Sequence, residues 1–312
     1  MLMNDAGEVT SHIQGMFNRT IRIMSGGVRP VYVFDGKPPQ MKGGELAMRL
    51  ARRAKAESDL AVAKQAEDVE DINMFSSRLV KVTRQHNEDC KELLRLMGVP
   101  VIDAPCEAEA QCAELARKGK VYATATEDMD ALTFRTPKLV RKLTFSQMKG
   151  KEKQLIMEID FQLMLTGPDL TYEMFVDLCI LCGCDYCSTI KGIGPKTAAK
   201  WLAQYDSLDG VMANAAEVKG KIGDNLRAAL DRLPLNRDLV TIKTDVPLDQ
   251  GPRELKLRGR DVDALRELYT RYGFTAALRE LEGGKPDPAT RQAQASLAAA
   301  AQASAEGEAA PD

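Results

Sequence analysis

Short apolar runs alternate with long amphipathic stretches along the first part of the chain. Val31-Tyr32-Val33-Phe34 is a β-favouring run that stops at Asp35-Gly36, so residues 21–36 read as strand and turn. Charged helical patterns follow over about 44–66 and 68–97, the second ending at Gly98-Val99-Pro100. Leu79, Val82, Cys90, Leu93, Leu94 and Met97 recur there at helical spacing. Val99-Pro100-Val101-Ile102 reads as a short strand, a helix runs on through Cys112 and Leu115, and Lys120 to Thr126 is the next strand. An apolar helix is predicted over 173–182. This βαβ rhythm predicts an α/β fold with a mostly parallel sheet and flanking helices. Residues 186–282 read as mainly helical, with a Gly-rich hairpin at 191–195. From Gly283 the composition collapses into Ala, Gln, Ser, Glu, Pro and Gly, which predicts a disordered tail over 283–312. The expected organisation is a core at 1–185 carrying the charged helices of about 37–97, a helical unit at 186–282, and the tail. No internal repeat stands out.

The length of 312 residues suits one large domain or two smaller ones, and the 44% hydrophobic content can build a packed core. Lys+Arg 43 against Asp+Glu 45 gives a net charge of −2, which argues against a polybasic protein but leaves room for a local basic patch. No apolar run approaches the ~18–20 residues of a membrane span. Met1 to Thr10 contains Asp5 and Glu8 without an apolar core, so no signal peptide is expected. Seven cysteines, an odd number, read as reduced thiols. His12 and His86 are the only histidines, which leaves carboxylates as the abundant source of chemistry.

Acidic residues follow three predicted strands: Asp35 after the first, Glu107 and Glu109 after the second, Asp128 and Asp130 after the third. Asp185 follows the apolar helix. In an open parallel sheet the ligand site lies at the carboxyl ends of the strands, so strands sharing a sheet would bring these acids to one edge. Residues i and i+2 do not share a helix face, so Glu107 and Glu109 can cooperate only by straddling a first helical turn, which Pro105 favours. Crowded carboxylates call for hard cations such as Mg²⁺ or Mn²⁺. The alternative is a set of helix N-terminal charges and solvated loops. Cys179, Cys182, Cys184 and Cys187 have metal-like spacing, but they sit in and just after an apolar helical run and read as core packing, with zinc or an iron–sulfur cluster as the alternative.

Basic residues come just after the first acidic edge. Lys37 and Lys42 lead into Arg49, Arg52 and Arg53, which share a helix face, and Arg78, Lys81 and Arg84 repeat at i+3. They read as phosphate contacts, against the alternative of solvated helix faces. In Ile190-Lys191-Gly192-Ile193-Gly194-Pro195-Lys196 the glycines Gly192 and Gly194 let a backbone approach a phosphate, with Lys196 and Lys200 beside them. That pattern points to sequence-independent contact with a DNA backbone.

Val31-Tyr32-Val33-Phe34-Asp35-Gly36-Lys37-Pro38-Pro39, Asp103-Ala104-Pro105-Cys106-Glu107-Ala108-Glu109-Ala110, Thr126-Glu127-Asp128-Met129-Asp130 and Gly194-Pro195-Lys196 together resemble the eukaryotic flap endonuclease 1 family, over about 1–197. The resemblance implies a 5′ nuclease fold with a helical arch and a helix–two-turn–helix. It implies two-metal cleavage of 5′-flap and branched DNA, with 5′-3′ exonuclease action, in replication and repair. By position, Asp35, Glu107, Glu109, Asp128, Asp130 and Asp185 match the family's metal ligands. Lys42 and Arg49 match the residues that steer the scissile phosphate, and Thr189, Ile190 and Ile193 match the element that holds K⁺ against DNA. The family further implies a nuclear monomer. Its sliding-clamp motif and basic tail find no match here, and a cytoplasmic location is the alternative.

An N-terminal stretch of the family, carrying its first strand and a further metal-binding Asp, has no counterpart. The chain is therefore also expected to be a poorly cutting DNA-structure binder, as the alternative to an active nuclease. From about Thr197, Trp201-Leu202-Ala203-Gln204-Tyr205, Gly220-Lys221-Ile222-Gly223-Asp224-Asn225 and Thr241-Ile242-Lys243-Thr244-Asp245-Val246-Pro247-Leu248 resemble the 5′ nuclease domain of bacterial DNA polymerase I.

Overall fold

The computed structural model describes residues 4, 7–36, 43–66, 68–79, 82–143, 155–167, 170–184, 189–240 and 255–283. The predicted tail beyond Gly283 lies outside them.

Ile13, Phe17, Thr20, Ile23 and Met24 recur every three or four residues, and this stripe makes Ser11–Ser25 a helix, α1. Ile13 and Met24 are fully buried on it. β propensity predicts strand and turn from residue 21; the stripe carries the helix on to Ser25 instead. Strand β1 (Tyr32–Phe34) pairs in parallel with β2 (Val101–Asp103), Tyr32 opposite Val101 and Phe34 opposite Asp103. Between them run α2 (Gly43–Gln65), α3 (Val69–Arg78) and α4 (Arg84–Leu96), with α2 packed along α3. The single helix expected over 68–97 is thus two. Thr83 is extended, at φ −97° and ψ 163°, and its hydroxyl accepts from His86 N at 3.2 Å, starting a fresh helix by a reciprocal cap with His86.

Helix α5 (Ala108–Arg117) leads to β3 (Thr124–Ala125), which pairs in parallel with β4 (Lys138–Arg141). Strand β5 (Met157–Asp160) runs antiparallel to β4. Among the described residues the strands pair as β1–β2 and β3–β4–β5, two of the three pairings parallel, in keeping with the mostly parallel α/β fold expected. Helix α5 joins them by packing on both β1 and β3. The rest is helical: α6 (Phe161–Thr166), α7 (Tyr172–Cys182), α8 (Pro195–Tyr205), α9 (Leu208–Ala213), α10 (Gly220–Arg227), α11 (Leu233–Val240), α12 (Val262–Arg271) and α13 (Thr275–Leu281). Among the described residues no helix is long and apolar enough to cross a membrane.

Two large cores organise these elements. Ile180, Leu181, Trp201, Leu202, Leu208 and Leu226 close α7 against α8–α11. Ile13, Leu93, Leu94, Leu265 and Tyr269 close α1 and α4 against α12. The span 186–282 is therefore divided: its last helices return to the first half of the chain. Arg258 N donates to Gly98 O at 2.7 Å and Asp261 N to Leu96 O at 2.9 Å. Gly98 has φ +77°, and a Cβ there would collide with the Arg258 carbonyl, so this crossing needs glycine. Cys179 and Cys182 lie on α7, half-buried, and burial pushes the Cys179 thiol up to about 12. A metal ligand must be a thiolate, so this environment favours packing over metal binding. Cys187 lies outside the described residues.

Candidate active site

The exits of β1 and β2 are stitched together. Ala104 N donates to Phe34 O at 2.9 Å and Gly36 N to Cys106 O at 2.7 Å. A Cβ on Gly36 would drive into the Ala104 carbonyl, so the stitch depends on glycine. It aims Asp35 at the start of α5, where its Oδ1 accepts from Ala108 N at 2.8 Å. A carboxylate is favoured at that helix end. Glu107 stands at the N-cap position of α5 and is buried; Glu109 is the second helical residue, so the two straddle the first turn. On the neighbouring sheet, Asp128 N donates to Thr126 Oγ1 at 3.1 Å, and Asp128 Oδ1 accepts from Asp130 N at 2.9 Å. Asp128 thereby caps a 3₁₀ turn over Met129–Leu132, on which α5 also packs.

Helix α5 thus gathers acids from three strand ends. The Glu109 carboxyl is held above its ordinary range by burial first, then by the charges of Asp35, Asp128 and Glu107. Asp130 acts on the other side, where its charge adds to the upward push on Cys179. Among the described residues no three His, Cys, Asp or Glu side chains close into a metal cage. Asp185 and Lys42 lie outside the described residues. The donor set present is all oxygen, anionic and mutually repelling, which is the chemistry that a hard divalent cation fits.

Lys91 carries no sequence signal of its own yet sorts these acids. Nearly buried, it pairs with Asp103 and, at 3.0 Å, with Glu88. Burial works to lower its pKa, but the hydrogen bonds to Asp103 and Glu88 outweigh that and raise it. Arg95 adds a second cation 3.6 Å from Asp103. Asp103 is thereby neutralised and kept out of the acidic group.

The basic residues divide less simply than their spacing implied. Arg49 and Arg52 lie on α2, and Arg78 on the last turn of α3. Lys81 lies outside the described residues. Arg53 is turned inward: its Nε lies 3.3 Å from Glu57 Oε1, and Nη2 donates to Leu79 O at 3.2 Å. It ties α2 to the end of α3 while its side chain stays 39% exposed. In the hairpin, Ile193 N donates to Ile190 O at 3.0 Å, Gly192 has φ +89°, and Gly194 precedes Pro195 at the start of α8. Ile190 and Ile193 are buried, so only their backbone groups remain for an ion. Thr189 is exposed and packs on Gly183, which has φ +85°. Lys196 and Lys200 are exposed one turn apart on α8.

An α/β core with acids at its strand ends, joined to a helical unit by a glycine hairpin, defines a 5′ nuclease fold. Residues 2–56 match the XPG N-terminal domain, 98–185 the XPG I-region, and 170–263 the 5′-3′ exonuclease C-terminal SAM fold. The chain is 54% identical to flap endonuclease 1-B of Physcomitrium patens over 248 residues, 79% of this chain and 70% of that protein. Among solved structures, flap endonuclease-1 from Methanococcus jannaschii superposes with a TM-score of 0.63 at 27% identity, covering 97% of this chain and 85% of that one. The catalytic core of Rad2 in complex with DNA substrate gives 0.63 at 26% identity, over 87% and 84%. The chain belongs to the flap endonuclease 1 family. It spans between 56% and 70% of the length of the curated relatives that it matches.

Proposed function

We propose that this chain is a divalent-metal-dependent, structure-specific 5′ nuclease that cuts 5′-flap DNA, with 5′-3′ exonuclease action, in replication and repair. The observation that carries this is the convergence on α5 of Asp35, held on Ala108 N, of Glu107 and Glu109 in its first turn, and of Asp128 on the 3₁₀ turn packed against it. Asp35, Glu107, Glu109, Asp128, Asp130 and Asp185 would hold Mg²⁺, with Mn²⁺ as a substitute. When bound, two such ions supply an activated water and neutralise charge on the leaving oxygen. The chain's own part is positional: the α5 backbone holds Asp35, the 3₁₀ turn holds Asp128, and Lys91 keeps Asp103 apart. Lys42 and Arg49 would steer the phosphate. The backbone of Thr189, Ile190 and Ile193 would hold K⁺ against duplex DNA. The protein would act as a monomer in the nucleus.

The test is a 5′-flap duplex offered in Mg²⁺ for cleavage and in Ca²⁺ for binding. Cleavage at the flap supports the proposal; binding in Ca²⁺ without cleavage in Mg²⁺ or Mn²⁺ would leave only a DNA-structure binder. Neutralising Lys42 and Arg49 together should slow cleavage far more than it weakens duplex binding. Equal losses would mark a generic basic surface.

A further inference from the structure

Asn225 on α10 donates from Nδ2 to the backbone oxygen of Lys191 in the hairpin, at 2.7 Å. A Cβ on Gly192 would stand 3.3 Å from Ile222 Cγ1 of α10. The hairpin and the start of α10 therefore form one continuous surface. The two loops are alike: Lys191-Gly192 has φ +89° at its glycine, and Lys219-Gly220 has φ +76°. Lys191, Lys196 and Lys200 are exposed on one side of the contact, Lys219 and Lys221 on the other. Among the described residues, none of the five has a carboxylate partner.

Nearby acids are otherwise engaged. Asp224 is held by Arg227 at 2.6 Å, and Glu217 accepts the Tyr205 hydroxyl at 3.4 Å. Arg227 also donates to Ala215 O at 2.7 Å and Val218 O at 3.1 Å, which stiffens the loop that presents Lys219. A side chain added at Gly194 or Gly220 would meet nothing within 4 Å, so both loops stand open to an approaching backbone. In a chain of net charge −2, this cluster of five exposed lysines is a place where a polyanion gains contacts, with Asp224 already paired to Arg227.

We propose that Lys219 and Lys221 form a second phosphate-binding loop. A DNA duplex backbone would run from the hairpin at 190–196 across the start of α10. This rests on the DNA-binding reading above and extends its footprint. A backbone contact of this kind is sequence-independent and set by charge.

The test is fluorescence anisotropy of the full chain with a blunt duplex between 50 and 200 mM salt, comparing wild type with the double variant Lys219→Gln, Lys221→Gln. Both side chains are exposed, so the variant should melt with wild type. Two lost phosphate contacts reduce the slope of log K against log salt by about 1.8, so salt weakens the variant about tenfold less across that range. The weakening at low salt should be the same for unrelated duplex sequences. An unchanged slope in a variant that melts normally would overturn the second loop while leaving DNA binding intact. A wild type that binds no duplex would overturn both. Should the double variant melt early, the single variants Lys219→Gln and Lys221→Gln decide the matter: a slope reduced by about 0.9 in each supports the contacts, and a wild-type slope in both overturns them.

Discussion

Asp177 supports the helical unit from inside, and its replacement separates two roles that one residue plays. It is buried on α7, where Oδ2 accepts from Leu208 N at 2.8 Å and Oδ1 lies 3.4 Å from Arg237 Nη2. Arg237 reaches on to Asp209 at 2.8 Å. One carboxylate thus joins α7, the start of α9 and α11. Asp177→Ala leaves the Leu208 N–H buried without a partner, at about 1–3 kcal/mol. Arg237 loses one partner but keeps Asp209 near solvent, so the further loss falls well short of the about 3–5 kcal/mol of a fully buried pair. A total of about 2–4 kcal/mol corresponds to roughly 5–10 °C in melting temperature.

Asp177→Asn keeps an acceptor for Leu208 N and removes the buried charge. It should therefore stay within about 1 kcal/mol of wild type. Burial raises the Asp177 pKa, with the Leu208 hydrogen bond and Arg237 opposing. The fold favours its protonated form, so that stability contribution is complete below the ordinary aspartate value and is lost as pH rises through the raised one. The Asn variant should accordingly gain on wild type between acidic and neutral pH. Thermal melts of the three proteins at both pH values measure this. An Ala variant that melts with wild type, or an Asn variant as weak as Ala, would refute the reasoning.

Asp128→Ala should slow flap cleavage more than about a hundredfold, since the charge stabilisation at stake is several kcal/mol. Binding should stay within about tenfold, because phosphate contacts supply most affinity; near-normal turnover would remove Asp128 from the metal site. Glu109→Gln relieves burial and repulsion from Asp35, Asp128 and Glu107, so its melting temperature should rise in chelating buffer at neutral pH, while cleavage in Mg²⁺ is lost. A lower melting temperature would show that the carboxylates do not strain this site. Gly183→Ala places a Cβ 2.6 Å from Thr189 Cγ2 at φ +85°. It should cost about 1–3 kcal/mol, read by urea unfolding, and weaken duplex binding through the displaced hairpin.

Much of the site could be read from residue order. An apolar run ending in Asp35-Gly36, a Pro105 before Glu107 and Glu109, and Asp128 two residues before Asp130 each state their own geometry, because strand ends and first helical turns are local events. The glycines and Pro195 of the hairpin do the same. The spacing of Ile13, Phe17, Thr20 and Met24 also announces α1, although β propensity after residue 21 points elsewhere. Only the tertiary structure decided which local options survive. Thr83 lies in a pattern continuous enough to read as helix, and it breaks because its cap on His86 satisfies backbone groups that nothing else would. Lys91 silences Asp103, and Asp177 meets Leu208 and Arg237, through contacts between separate elements. The return of α12 onto α1 and α4 joins Asp261 to Leu96 across the chain. Such pairings are set by which apolar faces bury together, and burial is a property of the packed molecule that no window of neighbouring residues contains.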